Sequence, residues 1–312
     1  MKKSSLKNVI FLFLAALIWG ITFVPQSISA KYMDAYSVLF FRSIIGIITL
    51  LPITIYSLIK DKKNGIKYKL KDVILGGFLC GLFLVFSSLL QQIGLENTSA
   101  SKTSFITSVY IVLVPIFSFF IYKKLHLNIL FSVIIAFIGL FLLSFNFNED
   151  NSFNVSDLII FGGAILFAFQ IISCGIFSKK VNCLLLSCEQ LFVQAIVSLI
   201  FGFLFKGSNW LSLNTYNIES IISILFIGIM SSGVAYTFQL LGQKNYDPTK
   251  ASLIMSLESV FGSCFSVIIY SFYKYSDVNQ FMSIPQIIGG ILVFISVIIS
   301  QIDFSKIKKK KE

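Results

Sequence analysis

Residues 249–263 read Thr249-Lys-Ala-Ser-Leu-Ile-Met-Ser-Leu-Glu258-Ser-Val-Phe-Gly-Ser263 and place one carboxylate within an otherwise apolar and small-residue run. If this run crosses a membrane as a helix, Glu258 lies about nine residues from its start, or roughly 14 Å deep at about 1.5 Å per residue. That depth is close to the middle of a hydrocarbon core of roughly 30 Å. Because a charge at the centre of a bilayer is costly, an ionisable group there indicates a functional site.

A related stretch, Ser101-Lys-Thr-Ser-Phe-Ile-Thr-Ser-Val-Tyr110-Ile-Val-Leu-Val-Pro115, lies half a chain earlier. An offset of 148 positions aligns the two stretches and places Tyr110 opposite Glu258. The same offset pairs residues along the whole chain: Ala16 with Ala164, Trp19 with Phe167, Arg42 with Gln190, Gln91 with Gln239, Gly94 with Gly242, Lys102 with Lys250 and Ser108 with Ser256. The sequence therefore predicts two related halves, residues 1–148 and 149–312.

The composition excludes an ordinary soluble domain. The 312 residues are 56% hydrophobic and only 12% charged, whereas soluble domains carry about 25% charged residues. Apolar segments, most of them long enough to cross a bilayer as helices, lie at about residues 8–29, 36–58, 72–92, 102–122, 127–145, 156–178, 183–205, 217–241, 249–272 and 281–302. Each half then has five segments, an odd number, so the second half enters the membrane from the opposite side. We therefore predict an all-α polytopic membrane protein with ten transmembrane helices in two inverted five-helix repeats.

Positive charge indicates the orientation of the chain. With the first segment starting inside, 20 of the 25 Lys and Arg residues fall on the inner side, four fall on the outer side and Arg42 lies within a segment. Because Lys and Arg are enriched in cytoplasmic loops, we predict that both termini are cytoplasmic and that the protein lies in the cell membrane. The lysines form short runs between apolar segments, so the net charge of +11 does not indicate a nucleic-acid partner.

Residue types needed for metal or covalent chemistry are sparse. The five cysteines are odd in number and form no CxxC pair, and His126 is the single histidine. No Ser-His-Asp set, carboxylate dyad, phosphate-binding loop or metal cluster emerges from the sequence. We therefore expect no cofactor, no metal site and no enzyme activity.

Several motifs resemble one known family. They are Ala15-Ala-Leu-Ile-Trp-Gly20 and Phe41-Arg42 in the first two segments, Gly94-Leu-Glu-Asn-Thr-Ser-Ala-Ser-Lys-Thr-Ser104 before the fourth, and Ala251-Ser-Leu-Ile-Met-Ser-Leu-Glu-Ser-Val-Phe261 and Gln286-Ile-Ile-Gly289 in the second half. Together they resemble the drug/metabolite transporter superfamily, in its EamA-domain branch, over nearly the whole chain. The resemblance implies ten helices, a central substrate cavity between the halves, and secondary transport, often export of amino acids or other small metabolites. The chain departs from the family pattern at Ser259, where a proline often follows the glutamate.

Glu258 and Arg42 are the first candidates for chemistry. A carboxylate in apolar surroundings is harder to ionise, so Glu258 can take up a proton on one side of the membrane and release it on the other. Arg42 lies roughly 9 Å from the outer face and Glu258 roughly 16 Å, a gap that two long side chains can bridge. We expect Arg42 to pair with Glu258, or with a substrate carboxylate. The alternatives are a static ion pair that holds helices together, or a structural glutamate hydrogen-bonded by Ser256 or Ser259.

Other polar and aromatic residues extend the candidate site. On the first segment, positions i, i+3, i+4 and i+7 of one helix face hold Trp19, Thr22, Phe23 and Gln26. The aromatic residues would stack on a flat or apolar substrate and the amide would hydrogen-bond it, although the same face also fits a packed helix interface. The remaining predicted cavity residues are Gln91, Tyr110, Gln170, Tyr236 and Gln239.

Three classes of function fit such a protein. The leading hypothesis is a secondary transporter that moves a small organic metabolite by alternating access, with Glu258 coupling the cycle to protons and export preferred on the resemblance. The alternatives are a non-transporting scaffold or lipid-handling protein and, against the lack of a catalytic set, a membrane-embedded enzyme. The expected partners are a small-molecule substrate, membrane lipid and protons, and the chain is expected to act as a monomer or homodimer.

Overall fold

The structure is a computed structural model that describes residues 3–98, 100–123, 127–144, 154–207, 210–211, 217–273 and 282–302. His126 and the basic segment 303–312 lie outside these residues. The helices in chain order are α1 (Lys3–Ala30), α2 (Ala35–Lys63), α3 (Leu70–Leu95), α4 (Ala100–Ser108), α5 (Tyr110–Tyr122), α6 (Leu127–Ser144), α7 (Val155–Phe177), α8 (Cys183–Lys206), α9 (Ile218–Phe226), a π-helix (Ile227–Ala235), α10 (Tyr236–Gln243), α11 (Pro248–Met255), α12 (Leu257–Tyr273) and α13 (Ile284–Gln301). The described ranges contain no strand.

The helices confirm the predicted all-α membrane fold. Within the described ranges, nine helical stretches are long and apolar enough to cross a membrane, and the apolar stretch Ile129–Leu143 is shorter. Each predicted segment contains one helix or one interrupted helix. Apolar side chains such as Phe120, Leu204 and Ile298 are largely exposed on the outside of the bundle, as expected for surfaces that face lipid.

Polar side chains determine where several spans begin. Asp34, Asn154, Asn182, Asn217 and Asp247 each accept a hydrogen bond from a backbone N–H in the first turn of α2, α7, α8, α9 and α11, respectively. Such caps satisfy N–H groups that the helix itself leaves without a partner. Because the connections from α1 to α2 and from α7 to α8 are short, consecutive spans run antiparallel.

The two halves of the chain pack mainly against each other. The most extensive helix contacts are α6 with α13, α3 with α7, α2 with α8 and α1 with α12, and each joins a helix of the first half to one of the second. Contacts within a half, such as α1 with α2 or α2 with α3, are much smaller. The core therefore lies between the halves.

Matching glycine contacts reveal a two-fold relation between the halves. A Cβ on Gly94 would lie 2.2 Å from Ile160, and a Cβ on Gly242 would lie 2.6 Å from Leu12. Adding 148 to Gly94 gives Gly242, and adding 148 to Leu12 gives Ile160. The contact between Gly242 and Leu12 is therefore equivalent to the contact between Gly94 and Ile160, with each residue replaced by its counterpart in the other half. Since each half has five spans, this exchange is the inverted repeat that the sequence predicts.

Three spans are not continuous α-helices. The fourth span is interrupted at Val109, between α4 and α5, and the ninth at Ser256, between α11 and α12. The eighth span changes from α9 to the π-helix and back to α10. Discontinuous membrane helices are tolerated where the backbone lines a cavity rather than lipid. All three interruptions lie beside the same cavity.

Candidate functional site

A cavity lined by residues of both halves lies between them. Ten of the eleven predicted site residues line it: Trp19, Phe23, Gln26, Arg42, Gln91, Tyr110, Gln170, Tyr236, Gln239 and Glu258. The structure adds Thr107, Phe167, Ile171, Ser231 and Met255. The cavity therefore combines one cation, one carboxyl group, several amides and a set of aromatic rings.

Glu258 lies in the first turn of α12, immediately after the interruption of the ninth span. Its side chain is only 5% exposed. Its Oε1 accepts hydrogen bonds from the Tyr110 hydroxyl at 3.0 Å and from Ser108 Oγ at 3.4 Å. Oε2 has no donor among the described residues. Ser256 and Ser259, the partners in the alternative of a structural glutamate, bond elsewhere: Ser256 donates to the carbonyl of Leu253, and Ser259 contacts Ser108.

The bond between Tyr110 and Glu258 lies at the centre of the molecule. The two residues are 148 positions apart, which is the offset that relates the repeats. A residue that touches its own repeat-related partner must lie on the two-fold axis. The hydroxyl groups of Ser108 and Ser259 meet beside this pair at 2.6 Å, so the interrupted fourth and ninth spans cross at the axis.

Arg42 extends from α2 to the π-helix. Its side chain is 2% exposed, with Nε donating to Ser232 Oγ at 2.9 Å and Nη2 donating to Ser231 Oγ at 2.7 Å. The expected ion pair between Arg42 and Glu258 is absent, so that prediction was wrong for this conformation. It was based on depth in the membrane, which does not determine how far apart two side chains lie laterally. Both groups nonetheless line the same cavity.

Three of the four residues predicted on the face of α1 lie at the cavity. Trp19, Phe23 and Gln26 line the cavity, and the Trp19 ring packs edge-on against Tyr236 with centroids 5.2 Å apart. Thr22 is buried but does not line the cavity, because its Oγ1 donates to the carbonyl of Trp19 at 2.9 Å. Its short side chain therefore bonds the backbone of its own helix.

Buried amides form a polar cluster on the second half's side of the cavity. Gln239 donates to Gln170 Oε1 at 2.9 Å, and Gln170 donates to Gln190 Oε1 at 3.3 Å. On the first half's side, Gln91 donates to Thr107 Oγ1 at 2.9 Å. These bonds hold the amides in place around the cavity.

Two fully buried polar atoms of α1 at the cavity also have no protein partner in the described part of the chain. They are Trp19 Nε1, a donor, and Gln26 Oε1, an acceptor. Buried polar groups are nearly always hydrogen-bonded to protein or to water. A donor and an acceptor left open on one face of α1 indicate that this side of the cavity contacts a polar ligand or ordered water.

Two of the five cavity residues that sequence reasoning missed are repeat-related to residues that it found. Adding 148 to Trp19 gives Phe167, and adding 148 to Phe23 gives Ile171. Thr107 and Met255 are related to each other by the same offset. Applying the repeat to each predicted residue would therefore have found Phe167 and Ile171, but not Thr107 or Met255. Ser231 has no such signal, because its counterpart is Phe83.

The described residues contain no group of three or more His, Cys, Asp or Glu that could hold a metal ion. The arrangement instead suits non-covalent binding of a small organic molecule. Aromatic rings offer stacking surfaces, amides offer hydrogen bonds, and Arg42 and Glu258 offer groups of opposite charge type.

Comparisons with known proteins identify the family and the fold. The profile of the EamA-like transporter family matches residues 6–145 and 154–302. A protein from Archaeoglobus fulgidus named as an uncharacterized transporter is 28% identical over 287 residues, which are 92% of this chain and 83% of that protein. A protein chain in a crystal structure superposes with a TM-score of 0.69 and 15% identity, covering 94% of this chain and 96% of that chain. At that identity the superposition shows the fold alone.

Proposed function

The chain belongs to the EamA-like transporter family, and from this premise we propose that it is a secondary transporter that moves a small organic metabolite across the cell membrane by alternating access. The observation that supports this most directly is the hydrogen bond between Tyr110 and Glu258 on the axis that relates the halves. A polar cavity on that axis is equally related to both sides of the membrane. Binding sites of inverted-repeat transporters lie at such repeat interfaces.

We further propose that Glu258 couples transport to protons. Its hydrogen-bond partners, Tyr110 and Ser108, belong to the other half of the chain. A movement of one half against the other therefore changes the surroundings of the carboxyl group, and with them its preference for a proton. Linkage requires the reverse as well, so protonation of Glu258 shifts the balance between conformations.

The proposed direction is export, which rests on the family resemblance alone, and the proposed orientation has both termini in the cytoplasm. The orientation is supported by the lysine asymmetry, since Lys60, Lys62, Lys63, Lys67, Lys69 and Lys71 lie in or beside the loop from α2 to α3. A membrane-impermeant maleimide should label Lys31→Cys in intact cells and should label Lys62→Cys only after the cells are opened. Both lysines are exposed. The opposite labelling pattern would reverse the orientation.

Purified protein in sealed vesicles tests the function. Thermal-shift screening against metabolites first identifies ligands, because a ligand that binds the folded state raises its apparent stability. Flux of a radiolabelled hit into or out of the vesicles should then exceed that of empty vesicles and should respond to an imposed pH gradient. Binding without flux would instead favour a scaffold or lipid-handling role. Chemical conversion of the ligand would indicate an enzyme.

A further inference from the structure

The guanidinium of Arg42 has unused hydrogen-bonding capacity. An arginine carries five N–H donors, and in the described part of the chain only Nε and one N–H of Nη2 are used, on Ser232 and Ser231. No acceptor among the described residues is bonded to Nη1. The residue lines the cavity, so the unused edge of its guanidinium is available to a molecule bound there.

The charge of Arg42 also has no counter-ion in the described residues. The ion pairs found there are Lys102 with Asp157 and Lys180 with Asp72. Glu258 is engaged by Tyr110 and Ser108 instead. A buried charge is costly unless it is paired, and the two serine hydroxyls supply hydrogen bonds but no negative charge. The described residues therefore supply no negative charge beside Arg42.

The π-helix holds the guanidinium in a fixed place. Ser231 and Ser232 are consecutive residues of the π-helix, and their hydroxyls accept hydrogen bonds from two different nitrogens of Arg42. The π-helix also packs directly on α2, since a Cβ on Gly228 would lie 2.6 Å from Ile45. Segments of π-helix inside α-helices occur frequently at functional sites.

We propose that Arg42, positioned by Ser231 and Ser232, binds a carboxylate group of the transported molecule. The proposal rests on the proposed transport function and adds the substrate class, a small organic carboxylate with a flat apolar body. Trp19, Phe23 and Tyr236 line the same cavity and provide stacking surfaces for that body. A carboxylate suits the planar edge of a guanidinium, which donates two parallel hydrogen bonds. One cation in a cavity that also contains a carboxyl group favours a monoanion over a phosphate dianion.

Matched probe molecules separate the carboxylate from the rest of the ligand. We would measure the thermal shift of the purified protein with 3-phenylpropionate, 3-phenylpropanamide, phenylalanine and phenethylamine. The two carboxylates should raise the unfolding temperature, and the amide and the amine should not. Phenylalanine against 3-phenylpropionate reports whether an ammonium group beside Glu258 adds affinity. Equal shifts with the amide, or no shift with either carboxylate, would overturn the proposal.

Variants then assign the binding to the guanidinium. Arg42→Gln should weaken carboxylate binding by about tenfold or more, the loss expected for charge-assisted hydrogen bonds. Arg42→Lys should retain part of the affinity, because it keeps the charge but loses the planar edge. Ser231→Ala should weaken binding less than Arg42→Gln. Unfolding temperature and size-exclusion profile without ligand show whether each variant folds, and undiminished binding by folded Arg42→Gln would contradict the subsite.

Flux distinguishes a failure of this proposal from a failure of the transport function. If vesicles transport an uncharged or cationic substrate with full activity in Arg42→Gln, transport stands and the carboxylate subsite is wrong. If the carboxylate probes bind through Arg42 but no substrate crosses the membrane, the subsite stands and the transport function is wrong.

Discussion

Glu258 obtains its hydrogen bonds from the opposite half of the chain, because Tyr110 and Ser108 both precede the repeat boundary. The alternative structural role would require partners that stay fixed relative to α12 as the halves move. Ser256 and Ser259 are on the same span, and neither bonds the carboxyl group. The geometry therefore suits a group whose surroundings change during a transport cycle.

Glu258→Gln tests the coupling role. Glutamine keeps the size and the hydrogen-bonding capacity of the side chain but cannot exchange a proton. We expect this variant to bind substrate and to exchange it across vesicle membranes while accumulation driven by a pH gradient falls to the level of empty vesicles. The matched control is Glu189→Gln, since Glu189 is a membrane carboxyl group on α8 that packs against Gly77 and does not line the cavity. Gradient-driven accumulation by Glu258→Gln would rule out the coupling.

The ion pair between Lys102 and Asp157 joins α4 to α7 and thus the two halves. The Nζ atom of Lys102 lies 2.7 Å from Oδ2 of Asp157, and the Asp157 side chain is fully buried. Lys102→Ala should lower the free energy of unfolding by about 1–3 kcal/mol, because it leaves a buried carboxylate without its cation. Lys180→Ala is the control: its pair with Asp72 is longer, at 3.5 Å, and more exposed, so the expected cost is below about 0.5 kcal/mol. Thermal unfolding in detergent measures the stability of both variants. Equal losses of stability in Lys102→Ala and Lys180→Ala would contradict the idea that burial makes the Lys102–Asp157 pair more important.

At the scale of single residues, the sequence predicted membership of the cavity better than it predicted contacts. Repeat offset and helix periodicity identify which residues face inward, and they placed Glu258 and Tyr110 correctly opposite each other. They could not show that Arg42 bonds Ser231 and Ser232. Both serines lie in the π-helix, whose turn differs from the 3.6-residue period on which sequence reasoning relies.

Among the helices, span positions were predictable and interruptions were not. Apolar length and capping residues set where a span begins and ends, and the observed helices differ from the predicted segments by only a few residues at most ends. The breaks at Val109 and Ser256 involve no proline, whereas Pro25 and Pro115, the residues that usually bend a helix, lie inside α1 and α5. The breaks instead coincide with the crossing of the fourth and ninth spans.

The contact between α6 and α13 depends on two glycines. A Cβ on Gly289 would lie 2.4 Å from the carbonyl oxygen of Gly139, and a Cβ on Gly139 would lie 2.7 Å from that of Gly289. Small residues let membrane helices approach closely. Gly289→Ala should therefore force the helices apart and lower the free energy of unfolding by about 1–3 kcal/mol.

Gly162→Ala is the matched control for this helix contact. A Cβ on Gly162 would meet only a side-chain atom of Leu90, at 3.6 Å, which is ordinary van der Waals contact. Thermal unfolding of the two variants in the same detergent should separate them clearly. Similar unfolding temperatures for Gly289→Ala and the wild-type protein would show that α6 and α13 do not depend on close approach.

At the scale of the whole molecule, the two halves pack against each other and together line the cavity that contains Glu258. Gly94 packs against Ile160, and its repeat-related residue Gly242 packs against Leu12. Because the repeat is inverted, these equivalent contacts lie toward opposite sides of the membrane, and the interface between the halves is closed in the same way on both sides. Alternating access requires that these two sides open in turn. The halves must then slide or rock against each other while the Tyr110–Glu258 crossing stays near the axis.

A crosslink between the halves tests this movement. Lys102→Cys with Asp157→Cys places thiols on α4 and α7, whose side chains meet in the wild-type protein. Joining them with a short bifunctional thiol reagent should arrest flux, and a reductant that cleaves the reagent should restore it. The control is Asp61→Cys with Tyr68→Cys, because these residues contact each other within the first half. Crosslinking that pair should leave flux unchanged if each half moves as a unit. Full flux with the 102–157 crosslink intact would mean that this end of the molecule does not open, and substrate would then have to pass without relative motion of α4 and α7.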